Sequence, residues 1–281
     1  MCDFRKKRKK LSPEDFAICE GIDSGPTDLI DRDTWKSIVS LPDDVSLRTS
    51  EHFGTALKIL WNLWGDWINI ISQGENSSIV YTALIATDDF QASIYNALVG
   101  FYRTAYATLR SVIENMSFGL YFELFNKRDE FEQWVKGNEK LKFGKILKNL
   151  YESDLILLVE NILLQKCCDR LFDNKRGLIR RLYKKLSNFV HSRPGYTHFD
   201  SWNSNGPVFV QKEFCNWFIF FLKIYLISLI FIKLGCPQIT KFDNGTNRTI
   251  KDLFEEVLKY LPENDLDKNL LSVINEIICE R

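Results

Sequence analysis

Phe214-Cys-Asn-Trp-Phe-Ile-Phe-Phe-Leu-Lys-Ile-Tyr-Leu-Ile-Ser-Leu-Ile-Phe-Ile-Lys-Leu234 is either the central helix of a soluble bundle or a membrane span, and the fold turns on which. Fourteen of its 21 residues are Phe, Ile or Leu, and about 20 apolar residues suffice to cross a bilayer. Lys223 argues against a span. A lysine at mid-bilayer costs roughly 2.5–3.5 kcal/mol even on insertion scales, and no second apolar segment offers it a partner. On a helical wheel Lys212, Asn216, Lys223 and Lys233 share an arc of roughly 100°, interrupted by Ile219 and Ile230. The pattern predicts a core helix with one wet edge. Membrane attachment through residues 214–234 is the lesser alternative.

Working outward, the remaining chain is helical by its periodicity. Apolar residues from Phe53 to Ile71 recur at helical spacing, opened by Ser50-Glu51. Further helices are predicted over 79–98, 101–125, 128–135, 143–151, 154–171, 178–191, 208–234, 249–261 and 265–280, with Gly100 as a kink or boundary. Residues 193–207 and 237–247 read as loops. Residues 1–48 are rich in Gly, Pro, Asp and Ser and read as an irregular arm, with short helices near Pro13 and Trp35. Strand patterns and fixed-period repeats are lacking. The expected fold class is therefore all-α: a bundle over 49–235, an irregular N-terminal arm over 1–48, and C-terminal accessory helices over 236–281.

Composition narrows the function classes. The 37 basic and 37 acidic residues cancel, so any nucleic-acid contact must be local. Seven cysteines at irregular spacing, with three histidines, give no zinc pattern; they read as free thiols of a reducing, cytoplasmic compartment. No secretory signal opens the chain. The run Arg5-Lys-Lys-Arg-Lys-Lys10 reads as a solvated tail, with docking to phosphate or an anionic membrane as the alternative. No cofactor motif is found, and no cofactor or metal is expected.

Two polar stripes carry what chemistry there is. On the helix over 101–125, Arg103, Ala107, Arg110, Glu114, Ser117 and Tyr121 fall within about 80° of one another, on an otherwise apolar helix. Such a stripe must meet water, a cleft or polar partners, because unpaired buried charge is costly. Arg110 and Glu114, four apart, can pair directly. On the helix over 178–191, Arg180, Lys184, Ser187 and His191 share the stripe opposite Leu182, Leu186 and Phe189. A terminal His191 suits the helix dipole and titrates near neutrality, as a general acid or base must. Ser187 lies one turn before it. With no acidic residue in a diagnostic position and no Gly-x-Ser-x-Gly elbow, serine hydrolase chemistry is not expected.

Leu109-Arg110-Ser-Val-Ile-Glu114, the later Tyr183-Lys-Lys-Leu-Ser-Asn-Phe-Val-His191 and the intervening Phe131-Glu-Gln-Trp134 resemble motifs of a broad group of bacterial all-α proteins. That group is similar in turn to the HEPN superfamily of helical bundles, many of which are metal-independent RNases of toxin–antitoxin and phage-defence systems. The resemblance covers roughly residues 50–235. It implies a homodimer acting on RNA, with an antitoxin or other partner protein. It also implies His191 as acid/base and Arg110 or Lys185 as the phosphate-binding cation. Glu114 would orient Arg110, and Ser187 and Asn188 would supply hydrogen bonds. The superfamily's usual mark is an arginine, four to six residues, then the histidine, often with a polar residue after the arginine; here Lys185 stands six positions before His191, and Leu186 follows it. A non-catalytic module that binds a protein or ligand is the alternative expectation.

Overall fold

A computed structural model of the chain describes residues 32–74, 77–190, 206–239 and 248–279, with side chains described from Ser40 to Ile278. Within them lie ten helices and no strand. They are α1 (Arg32–Ile71), α2 (Ser78–Leu98), α3 (Tyr102–Leu124), α4 (Arg128–Val135), α5 (Phe143–Tyr151), α6 (Asp154–Cys167), α7 (Leu178–Val190), α8 (Gln211–Gly235), α9 (Ile250–Tyr260) and α10 (Lys268–Cys279). The chain divides into two compact units, Met1–Leu41 and Pro42–Arg281. Residues 32–48 are helical: the short helix expected near Trp35 is present and extends through the stretch that composition marks as irregular. Pro42 lies inside this helix, and the backbone leaves helical values only at Phe53 (φ −128°, ψ 24°), where two helical stretches join across a kink.

In the larger unit, α8 is the core helix. From Phe221 to Ile232 every residue is buried, and 72% of its most apolar window is covered by protein. Helices α2, α3, α9 and α10 pack around it. The predicted wet edge holds at Lys212 and Asn216, which are exposed, is interrupted as expected at Ile230, which is fully buried, and fails at Lys223, which is buried. Its Nζ is 2.8 Å from Asp265 and 2.7 Å from Asp267, both in the turn between α9 and α10. Buried polar groups elsewhere on α8 are likewise paired. Trp217 donates to Ser93 Oγ at 3.0 Å, Ser93 donates to the Ala105 carbonyl at 2.9 Å, and the Tyr225 hydroxyl donates to the Leu63 carbonyl at 2.9 Å. These bonds tie α8 to α1, α2 and α3, since unmade ones would each cost about 1–3 kcal/mol.

Helices α2 and α3 form a tight antiparallel hairpin. Gly100 turns the chain at φ +84°, and a Cβ there would meet the Val208 backbone at 2.5 Å. Glycine is required on both counts. At the other end of the hairpin, a Cβ on Gly119 would lie 1.9 Å from Thr82 Oγ1 and 3.0 Å from Ile79 Cα. Gly119→Ala is therefore expected to lower stability by about 1–3 kcal/mol through overpacking, read from urea unfolding. Adding Thr82→Ala should return part of the loss; an unchanged midpoint for the single variant would show that the hairpin is looser than this.

Helix α6 ends early, at Cys167 in place of the predicted 171. Cys168 adopts the left-handed conformation at φ 55°. The backbone N–H groups of Leu171 and Phe172, which a longer helix would turn onto its own carbonyls, donate instead to Oε1 of Glu160. A buried carboxylate has captured the end of the helix.

Candidate functional site

Helix α3 presents Tyr102, Tyr106, Leu109, Val112, Ile113 and Met116 to the core, and this leaves its polar stripe to face α5 and α7. The stripe is wet only as far as Glu114. Ser117 is fully buried, its hydroxyl donating to the Ile113 carbonyl at 2.7 Å, and Tyr121 is buried. What remains is a row of Arg103, Arg110 and Glu114 along the flank of α7.

Arg110 Nη2 donates to Glu114 Oε1 at 3.0 Å and to the Tyr183 hydroxyl at 2.7 Å, and that hydroxyl donates to the same Glu114 oxygen at 2.6 Å. Three groups from two helices thus close a triangle. Phe143 of α5 stacks on the Tyr183 ring at 3.8 Å, and the Arg110 guanidinium lies 5.0 Å from the ring centroid. The arginine side chain keeps 19% exposure and the glutamate 26%. Burial works against the Arg110 charge, but the Tyr183 bond and Glu114 outweigh it, so its pKa rises above the ordinary arginine value. Burial, reinforced by Glu114, also raises the Tyr183 phenol. Arg110 is thus firmly a cation and Tyr183 a neutral phenol. Arg110 Nε is buried with no hydrogen-bond partner.

The other expected site residues divide. Arg103 Nε donates at 2.9 Å to the carbonyl of Phe189, in the last turn of α7. Ser187 spends its hydroxyl on the Tyr183 carbonyl at 2.8 Å, a local bond within α7. Asn188 is buried. Lys185 is exposed; its Nζ lies 5.8 Å from the Phe220 ring, and it lines a separate hollow with Arg181, Lys223, Asp265 and Asp267. The structure thus brings Arg110 and Glu114 together and sets Lys185 apart from them. His191 lies outside the described residues, directly after the end of α7.

Tyr183 is the member that sequence reasoning passed over. It stands in the quoted motif one turn before Ser187, where it serves only as spacing. Its signal is a tyrosine at the border between the apolar and basic faces of α7, where an amphipathic ring needs a partner for its hydroxyl. Asp89 was also missed. Burial pushes its carboxyl up to about 6, against a weak opposing bond from Asn115 at 3.4 Å. Among the described residues no three His, Cys, Asp or Glu side chains converge on a metal-sized site. Comparison with known proteins returns no matching family model, curated protein or solved structure.

Proposed function

We propose that the protein is a HEPN-like helical bundle that cleaves RNA without a metal ion, with His191 as the acid/base and the α3 arginines as the source of positive charge. The observation that carries this reading is the polar seam between α3 and α7. Arg110, Glu114 and Tyr183 lock the two helices together, and Arg103 holds the last turn of α7, beyond which the chain continues into His191. In the proposed step a base takes the proton of the ribose 2′-hydroxyl and the freed oxygen attacks phosphorus. The bond to the 5′-oxygen breaks, that oxygen is protonated, and a 2′,3′-cyclic phosphate remains. Such a reaction requires a group titrating near neutrality and a fixed cation for the phosphate charge. A role in toxin or phage-defence systems, in the cytoplasm and as a homodimer, belongs to the same proposal.

The test is cleavage of single-stranded RNA by the purified chain in excess EDTA. Fragments ending in cyclic phosphate are expected. His191→Ala should lower the rate at least ~100-fold, since general acid–base groups typically contribute 10²–10⁴-fold, with an unchanged circular dichroism spectrum. Equal cleavage by the variant would remove His191 from the mechanism, and no cleavage by the wild type would remove the reaction.

One observation favours a second reading. Arg110 is already held by its own glutamate and tyrosine, as in a structural joint, while Trp61, Leu84 and Tyr95 expose 63%, 55% and 61% of their surface on α1 and α2. A helical module that binds a protein through those side chains cuts no RNA and retains a partner in a pull-down.

A further inference from the structure

The chain is neutral overall, yet four cations without carboxylate partners stand close together. Lys142 and Lys145 are exposed at the start of α5, Lys184 is exposed on α7, and Arg180 lies half-buried one turn before Lys184. Among the described residues none of the four has a carboxylate within ion-pairing distance, whereas Lys127, Lys136, Lys148, Lys166, Arg181, Lys223, Arg248 and Lys268 all do. Four acids lie nearby, three of them already paired: Glu130 with Lys127, Glu114 with Arg110, and Glu152 with Lys148. The fourth, Glu139, shares a hollow with Lys142 and Lys145.

Two observations make these cations one surface. Phe143 stacks on Tyr183 and fixes the start of α5 against α7. Gly144, between Lys142 and Lys145, is the close approach: a Cβ there would sit 3.9 Å from Arg180 Nη1. The strip therefore crosses the α5–α7 seam directly beside the Arg110–Glu114–Tyr183 triangle. It continues along the α7 stripe through Lys184 and Ser187.

We infer that this strip, Lys142, Lys145, Arg180 and Lys184, is a docking surface for the phosphate backbone of single-stranded RNA. Four neighbouring cations without a carboxylate partner, at the surface of a neutral protein, call for an external polyanion. Arginine and lysine that bind phosphate position a strand without reading its sequence, which is the task a cleavage site needs done beside it. An anionic membrane is the competing polyanion. A membrane-binding face adds large apolar side chains to its cations, and no exposed large apolar residue of the described chain lies on α5 or α7. The identification of RNA rests on the proposed reaction; the strip itself does not.

The experiment is fluorescence anisotropy of a labelled short single-stranded RNA with the full chain in EDTA, across a salt series. Vesicles rich in phosphatidylserine form a parallel arm, and wild-type cleavage is scored on the same samples. Neutralising the strip with Lys142→Gln, Lys145→Gln, Arg180→Gln and Lys184→Gln together is expected to weaken RNA binding at least ~10-fold. The slope of log K against log salt should fall by about 3, at roughly 0.7 for each phosphate that the variant no longer neutralises. The exposed pair Lys145→Glu and Lys184→Glu, with the melting temperature as control, repeats the test should the fourfold variant fold poorly. An unchanged affinity and slope in either folded variant overturns the assignment, as does wild-type binding to the vesicles but not to RNA. Wild-type binding that depends on the strip without any cleavage leaves the surface standing and removes the reaction.

Discussion

Lys223→Met is expected to destabilise the protein by about 3–5 kcal/mol, the range for removing one partner of a buried ion pair. Lys223 is 8% exposed, and its ammonium sits between Asp265 and Asp267, whose side chains keep 11% and 15% of their surface. Asp267 also receives Arg181, which in turn holds Asp169, so the cluster spans α7, α8 and the turn before α10. Without the lysine two half-buried carboxylates lose their shared cation, and Asp267 keeps the Arg181 guanidinium, which it shares with Asp169. Lys223→Met combined with Asp265→Asn and Asp267→Asn should recover much of the stability, because the cost lies in the charges left behind. Acid titration supplies a second check. Burial acts to raise the Asp267 carboxyl, but Lys223 and then Arg181 overcome it and hold its pKa below the ordinary value. Its contribution is therefore present above the unfolded aspartate pKa of about 3.9 and is lost as pH falls through the lower folded value. In Lys223→Met that acid limb should flatten. A variant within about 1 kcal/mol of wild type would show that the ion cluster is not a structural keystone.

The second large effect is expected at Glu160, which is 1% exposed. Its Oε1 accepts the backbone N–H groups of Leu171 and Phe172, while Oε2 is buried without a partner. Glu160→Ala should cost about 2–5 kcal/mol, since two buried amide donors lose their acceptor at roughly 1–3 kcal/mol each. Glu160→Gln keeps the acceptor and removes the charge. The sign of the pH effect is opposite to that at Asp267. Burial raises the Glu160 carboxyl, and the two amides and Arg170 only partly counter it. The folded state thus holds this proton more tightly than the unfolded chain. That contribution is complete below the unfolded value of about 4.3 and is lost as pH rises through the higher folded one. Relative to wild type, Glu160→Gln should accordingly gain stability as pH rises from the unfolded value through the higher folded one. Denaturant midpoints across that interval decide the matter; a Glu160→Ala protein as stable as wild type would mean that the segment after α6 is held by something else.

These two groups mark where the sequence was legible and where it was not. The extents of α4 and α5 could be read from periodicity alone, and those of α2 and α3 to within a residue, because local apolar spacing and glycine punctuation set them. The character of α8 was legible from Lys223, but the lysine's partners were not: Asp265 and Asp267 follow some forty residues later, and nothing local announces the pairing. The end of α6 was misread for a similar reason, since the residue that terminates it, Glu160, lies within the helix and acts on amides eleven and twelve positions ahead. At the candidate site the (i, i+4) pairing of Arg110 with Glu114 followed from spacing, whereas Tyr183, 73 residues from Arg110, needed the tertiary packing of α3 against α7.

The position of α8 has a consequence for synthesis. Chains emerge from the ribosome N-terminus first and fold as they do so, so residues 214–234 leave the tunnel before α9, α10 and the aspartates between them exist to cover that helix. For that interval the nascent protein carries a 21-residue oily segment with one lysine near its middle and another, Lys233, near its end, an object of the kind that membrane-insertion machinery selects. Insertion and burial then compete kinetically, and Asp265 and Asp267, translated later, bring the carboxylates that burial of Lys223 requires.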